Sequence, residues 1–405
     1  MNRQSVERRI LPAAVLLMLS NSVAALDYHV SGFGTASLSC FTNDTADFVI
    51  NDQPEGPGRT RTCDGGTDSL LGVQFDLDLL KSLEIGVQVV GNRNENRDYL
   101  PTLMIAQMRW HPTDNLTFRL GRAPSPAFLY SESRLVRYGL PWVRPPLEVY
   151  GLFPTYSNDG LEFIHKKLFG NWQAEWHGGM TQVSFDTPIS NTKDTTPFNA
   201  YGGFLNLSLE RSNTLIKLGY GYYKVTYNPP DTNKLVDFLR TPLFSEGQQL
   251  ADDLAVDESS IHLFAVGVRH EYADWLVMGE FSHRLNVGFV RNQYGAYLTV
   301  GRHFDSWMPY ATIARRWTSG PNNDVRAGFL QPQVAYLLAA TRYDTTSAAL
   351  GLSHDINDNI KLKLQTDWIR PDDNSWGLYT NHAPDYNYSH PGSDWLFTMN
   401  LDFVF

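Results

Sequence analysis

From residue 71 the chain alternates. Leu71, Val73, Phe75, Leu77 and Leu79 are separated by Gly72, Gln74, Asp76 and Asp78. After a turn at Lys81, Leu83, Ile85, Val87 and Val89 alternate with Glu84, Gly86 and Gln88. A period of two is the strand period, and two such runs joined by a tight turn form a hairpin. The last eleven residues repeat the pattern. Trp395, Phe397, Met399, Leu401, Phe403 and Phe405 share one face, while Leu396, Thr398, Asn400, Asp402 and Val404 share the other.

Along the whole chain the pattern predicts sixteen strands. The first opens at Asp27, and the hairpin from Leu71 supplies the next two. Then come Leu100–Trp110, Leu116–Arg122, Gly160–Leu168, Trp172–Val183, Ala200–Glu210 and Leu215–Tyr227. Ser260–His270, Trp275–Asn286, Gln293–Phe304, Trp307–Trp317, Thr345–Ile356, Ile360–Arg370 and the closing strand complete the set. Connections alternate between a few residues and, mostly, many, the asymmetry of a transmembrane barrel with short turns at one rim and long loops at the other. An open edge is not viable in lipid, so the sheet must close. The predicted fold class is all-β: an antiparallel transmembrane β-barrel spanning residues 26–405. A soluble β-sandwich would have to bury sixteen apolar faces.

Composition then removes an objection. The chain is 42% hydrophobic with a mean hydropathy of −0.31, which excludes a helical membrane protein. A barrel tolerates both values, because only every second strand residue meets lipid. The 13% aromatic content suits belts at two membrane interfaces. At the start, Arg3, Arg8 and Arg9 precede the apolar run Ala13–Leu19 and the small residues Ser22-Val23-Ala24-Ala25. This is the layout of a secretory signal peptide over residues 1–25. Cleavage after Ala25 removes three Arg and one Glu and takes the net charge from −10 to −12. Cys40 and Cys63 are the two cysteines, and export favours a disulfide between them across the polar outer loop 39–68.

The segment 123–158 differs from the rest. Pro124, Pro126, Pro141, Pro145, Pro146 and Pro154 forbid a central strand. Among its aromatic residues stand Glu132, Arg134, Arg137, Arg144 and Glu148. Elsewhere the charges opposite the apolar face must point into the lumen, since Arg or Lys facing mid-bilayer lipid costs about 2–4 kcal/mol. Asp76, Glu84, Arg109, Arg119, Lys361 and Lys363 are therefore lumen candidates.

In layout the chain resembles the Gram-negative general porins: signal peptide, sixteen strands, terminal phenylalanine and a long third outer loop after the fifth strand. The resemblance implies that segment 123–158 folds into the lumen and sets a constriction. The wall would carry Arg109, Arg119, Lys361 and Lys363, with Asp76 and Glu84 nearby. The loop would carry Glu132, Arg134, Arg137, Arg144 and Glu148. Three Arg against two Glu depart from the usual acidic loop. The resemblance further implies Phe405 as an assembly signal read by the barrel assembly machinery, contact with outer-membrane lipid and lipopolysaccharide, a homotrimer, and location in the outer membrane of a Gram-negative bacterium. The expected function is passive diffusion of small hydrophilic solutes and ions through a water-filled channel, with no catalysis, cofactor or nucleic acid.

Two rivals remain. Tyr130, Tyr138, Trp142, Tyr150, Phe153 and Tyr156 could guide a specific sugar, aromatic acid or carboxylic acid, or could simply pack the loop. A barrel enzyme needs a nucleophile and a base brought together, yet in Ser353-His354 and Ser389-His390 adjacent side chains point apart, and no Gly-x-Ser-x-Gly occurs. His262, His270 and His283 lack a metal-binding spacing, and Asp252, Asp253, Asp257 and Glu258 lack the regular calcium-loop pattern.

Overall fold

The computed structural model describes residues 27–50, 53–94, 96, 98–188, 194–285 and 288–405. The leader and its cleavage site lie outside these residues. Sixteen strands form the wall: β1 Asp27–Phe41, β2 Leu70–Leu80, β3 Leu83–Asn92, β4 Thr102–Thr113, β5 Leu116–Pro124, β6 Ser157–Phe169, β7 Trp172–Pro188 and β8 Thr195–Arg211. They continue as β9 Thr214–Tyr227, β10 Ser259–Tyr272, β11 Trp275–Leu285, β12 Gln293–Arg302, β13 Trp307–Thr318, β14 Thr345–Asn357, β15 Ile360–Pro371 and β16 Asp394–Val404. Each pairs antiparallel with its neighbours in sequence, and β16 closes the barrel on β1 with Phe33 opposite Val404 and Cys40 opposite Phe397. Among the described residues no helix is long and apolar enough to cross a membrane, as expected where strands make the crossing.

Alternation decides which side chains face out. Leu71, Val73 and Phe75 on β2 and Trp395, Phe397 and Met399 on β16 are exposed, whereas Thr398, Asn400 and Asp402 are buried inside. The phase breaks within β4. A register shift opposite Gln88 and Val89 turns Met104, which alternation with the inward Gln107 and Arg109 would place outside with Ala106, Met108 and Trp110, into the interior with Phe33, Leu70 and Val90. A bulge inserts a residue and so reverses the facing of the residues beyond it.

The seam is finished by the terminal residue. Gly32 and Phe405 exchange backbone hydrogen bonds at 2.8 and 3.0 Å. The Phe405 ring lies over Gly32, where an added Cβ would come within 2.1 Å of it. Only glycine leaves room for that ring.

Tight turns at one rim hold two to four residues, while the other rim carries every long loop. The Cys40–Cys63 disulfide is formed and fastens the first loop to β1. The loop at 228–258, polar by composition, contains helices Pro230–Leu239 and Gly247–Leu254, and the loop at 319–344 contains helix Gln331–Ala340. Val236, Leu239, Leu250, Leu254, Val334 and Leu338 from these helices are buried in one apolar cluster that continues into the barrel. Their three- and four-residue spacing is a helix signal that average polarity conceals.

Candidate pore constriction

The third long loop, residues 125–156, lies inside the barrel and is docked along β8–β16 and β1. Asn206 on β8 donates to the Pro126 carbonyl at 2.9 Å, and Lys217 on β9 to that of Phe128 at 2.8 Å. On β11 the buried Glu280 carboxylate accepts from the Leu129 amide at 2.9 Å and the Tyr150 hydroxyl at 2.8 Å. Tyr297 of β12 donates to the same carboxylate at 2.7 Å. The Trp142 indole donates to Thr299 and Thr312 at 2.9 and 3.1 Å. Lone buried polar groups are costly, and here each meets a partner.

The far half of the loop is held by charge. Asp68, at the end of the first long loop, accepts from Arg144 through Nε at 3.1 Å and through a terminal nitrogen at 2.6 Å, and also from Arg137. All three side chains are buried. Burial pushes the Asp68 carboxyl up, but Arg144 and Arg137 outweigh it and hold the group at about 2. Lys363 is wholly buried, pairs with Asp402 at 2.8 Å and donates to the Trp142 carbonyl at 3.1 Å. Asn400 donates to the Val143 carbonyl at 3.1 Å. Glu148 is buried against the Ser347 hydroxyl at 2.5 Å, and burial pushes its carboxyl up. Arg134 is also buried, stacked over the Tyr156 ring at 4.0 Å. The loop reaches the tight-turn rim, where Tyr138 donates to the Asp358 carbonyl at 2.9 Å and carries the Lys361 ammonium 4.9 Å from its ring centre. Lys361 also pairs with Asp355 at 3.1 Å.

On the opposite wall Arg109, Arg119, Asp76 and Glu84 keep contact with solvent, whereas Glu162 and His177 are buried. Arg109 pairs with Asp76 at 2.7 Å and Glu84 at 2.9 Å. Gln88, Gln74 and Asp76 continue this ladder at 2.8 and 2.6 Å. Arg119 pairs across the gap with Glu132 of the loop at 2.9 Å and lies 3.7 Å from Glu162. His177 meets Glu162 at 2.9 Å and comes within 4.0 Å of Glu132.

The structure thus divides the expected charges in two. Arg109, Arg119, Asp76, Glu84 and Glu132 gather on the solvent side. Arg134, Arg137, Arg144, Glu148 and Lys363 lie beneath the loop, and Lys361 sits at the tight-turn rim. Asp68, Glu162, His177 and Glu280 were not singled out from the sequence. Strand phase places Glu162, His177 and Glu280 inside, but Asp68 follows an irregular loop and carries no local signal. Of the loop aromatics, Trp142, Tyr150 and Phe153 are buried as packing.

No protein-family model matches the chain, and no curated protein sequence matches it. Solved structures do. The anion-selective porin of Comamonas acidovorans aligns at a TM-score of 0.55 and 11% identity, over 94% of this chain and 100% of that one. OmpF of Salmonella typhi, in complex with daunomycin, aligns at 0.53 and 11%, over 93% and 97%. The outer membrane channel DcaP of Acinetobacter baumannii aligns at 0.50 and 11%, over 95% and 99%. Identities this low speak for architecture, and the architecture is the sixteen-stranded barrel fold of the Gram-negative outer-membrane porins.

Proposed function

We propose that the chain forms a water-filled outer-membrane channel for passive diffusion of small hydrophilic solutes and ions, with loop 125–156 as the fixed inner wall of its constriction. One observation carries this reading: the loop is pinned along half the barrel by buried contacts, while the wall it faces keeps solvent-accessible charges. A sixteen-stranded barrel is wide enough for an aqueous lumen. Arg134, Arg137, Arg144, Glu148 and Lys363 then act as anchors of the loop, and Arg109, Arg119, Asp76, Glu84 and Glu132 as the charges that solutes meet.

Those solvent-side charges are paired, three carboxylates with two guanidiniums. Paired charges nearly cancel at a distance, so the channel discriminates weakly by charge, with a slight preference for cations. The burial of Trp142, Tyr150 and Phe153 supports packing over an aromatic slide for one substrate. Ser353 is buried inside while His354 stacks on Trp307 at 3.8 Å, which leaves that pair unsuited to acyl transfer. The leader, the homotrimer and the assembly role of Phe405 belong to the same proposal. Planar bilayers test it: purified protein should give stable conductance steps, and proteoliposomes should swell in small sugars. No conductance and no swelling would refute it.

A further inference from the structure

We infer that a small anion of chloride size is held between Arg284, Arg316 and the end of loop 125–156, and fastens that end to β11–β13. The inference goes beyond the channel reading, because the site lies where the loop docks on the wall, apart from the charges that solutes meet. Arg284 on β11 is the register partner of Gln293 on β12, and Arg316 on β13 stands opposite Gly295, two residues further along β12. Gln293 and Arg316 are buried, while Arg284 stays partly exposed. Both guanidiniums donate to the same Gln293 side-chain oxygen, each at 2.6 Å. Arg284 also donates to the Leu152 carbonyl at 2.6 Å, and Arg316 stacks on the Tyr343 ring at 4.7 Å. Neither forms an ion pair among the described residues, and the Nε of each is buried without a partner.

The Asp68 cluster supplies the comparison. There Arg137 and Arg144 converge on a carboxylate. Here the same convergence is made on a neutral amide, and two positive charges are brought together without a counter-charge. The carboxylates whose field reaches Arg316 are committed elsewhere, Asp344 to Arg342 at 3.1 Å and Glu148 to Ser347 at 2.5 Å. A buried charge is costly unless it is paired, so an anion from solution completes the arrangement. Its size follows from the backbone around it. A Cβ added at Gly151 would fall 2.9 Å from a terminal nitrogen of Arg316, and one at Gly295 would fall 2.2 Å from the Glu148 carbonyl oxygen. Loop and wall therefore close tightly on the two guanidiniums, which suits a monatomic ion and leaves no room for a phosphorylated solute. The partly exposed Arg284 gives that ion its way in from water.

The test melts the full protein, purified in detergent, in sodium gluconate with a rising fraction of sodium chloride at constant ionic strength. Gluconate is too large for the site. Wild type should gain several degrees in melting temperature with chloride and then level off as the site fills. Gln293→Glu puts a carboxylate between the guanidiniums, so its melting temperature should no longer respond to chloride. Arg284→Gln/Arg316→Met should lose the response as well. Broadening of the chlorine-35 resonance by wild type, reversed by bromide, reads the same site without any substitution, so the inference is decided even where a variant fails to fold. Equal stability in chloride and gluconate, absence of chlorine-35 broadening, or a chloride response unchanged in Gln293→Glu overturns the inference. So does a saturable response to phosphate with none to chloride, which would make this an oxyanion site. Melting reads no conductance, so its outcome is separate from the bilayer recordings that test the channel.

Discussion

Replacing Asp68 by alanine leaves Arg137 and Arg144 buried without their shared counter-ion. Arg144 would keep Thr398 at 2.7 Å and a distant Asp367 at 3.7 Å, and Arg137 only the Val143 carbonyl at 3.4 Å. Breaking a buried pair in this way costs about 3–5 kcal/mol, since the stranded charge stays desolvated. At 1.4 kcal/mol per factor of ten, the population with the loop detached rises roughly 10²- to 10³-fold. Single-channel recording reads this directly: wild type should carry a steady current, and Asp68→Ala should flicker between levels. The triple variant Asp68→Leu/Arg137→Met/Arg144→Met, which removes the charges together, should restore the steady trace. Acid gives an independent check. With its carboxyl held at about 2 against an ordinary 3.8, Asp68 contributes stability that is complete above pH ~4 and is lost as pH falls through about 2. At roughly 1.4 kcal/mol per pH unit of displacement, that contribution is about 2 kcal/mol. Wild-type channels should therefore grow noisy below pH 4, and Asp68→Ala should be noisy without that acid onset. An Asp68→Ala channel as steady as wild type at neutral pH would refute the claim that this cluster pins the loop.

Arg109→Ala and Arg119→Ala each release paired carboxylates to the lumen, so the reversal potential in a salt gradient should move toward cations by several millivolts; no movement would remove both from the constriction. Lys363→Met, by contrast, should leave selectivity nearly unchanged and lower thermal stability by about 3–5 kcal/mol, because it strands buried Asp402. Cys40 and Cys63 should resist thiol labelling until reduced, and Cys40→Ser should cost about 3 kcal/mol through the freed loop, measured as urea resistance of the folded band. Gly32→Val and deletion of Phe405 should each lower folding yield, because both disturb the same seam, while the barrels that do form keep wild-type selectivity.

Local alternation in the sequence determined a great deal: sixteen strands, their order, the outward faces of β2 and β16, and the pairing of the closing strand with those starting at Ile360 and Asp27. Each rests on period two together with the requirement that backbone groups in lipid find partners, and both are properties of short stretches. Only the tertiary structure decided which inward charges meet water. Arg109 and Lys363 are alike by local pattern, both cationic and both opposite an apolar face. One stays in contact with solvent and the other is sealed beneath loop 125–156, because that loop docks along β8–β16 and β1 and meets β2–β7 more sparsely, through Glu132 on Arg119 and through Leu135 and Val136 on the Leu70, Val90 and Met104 cluster. Such docking depends on long-range partners, Asp68 with Arg144 and Glu280 with Tyr150, which no spacing along the chain encodes. Met104 makes the same point on a smaller scale: alternation sets the facing until a bulge, placed by the neighbouring strand, reverses it.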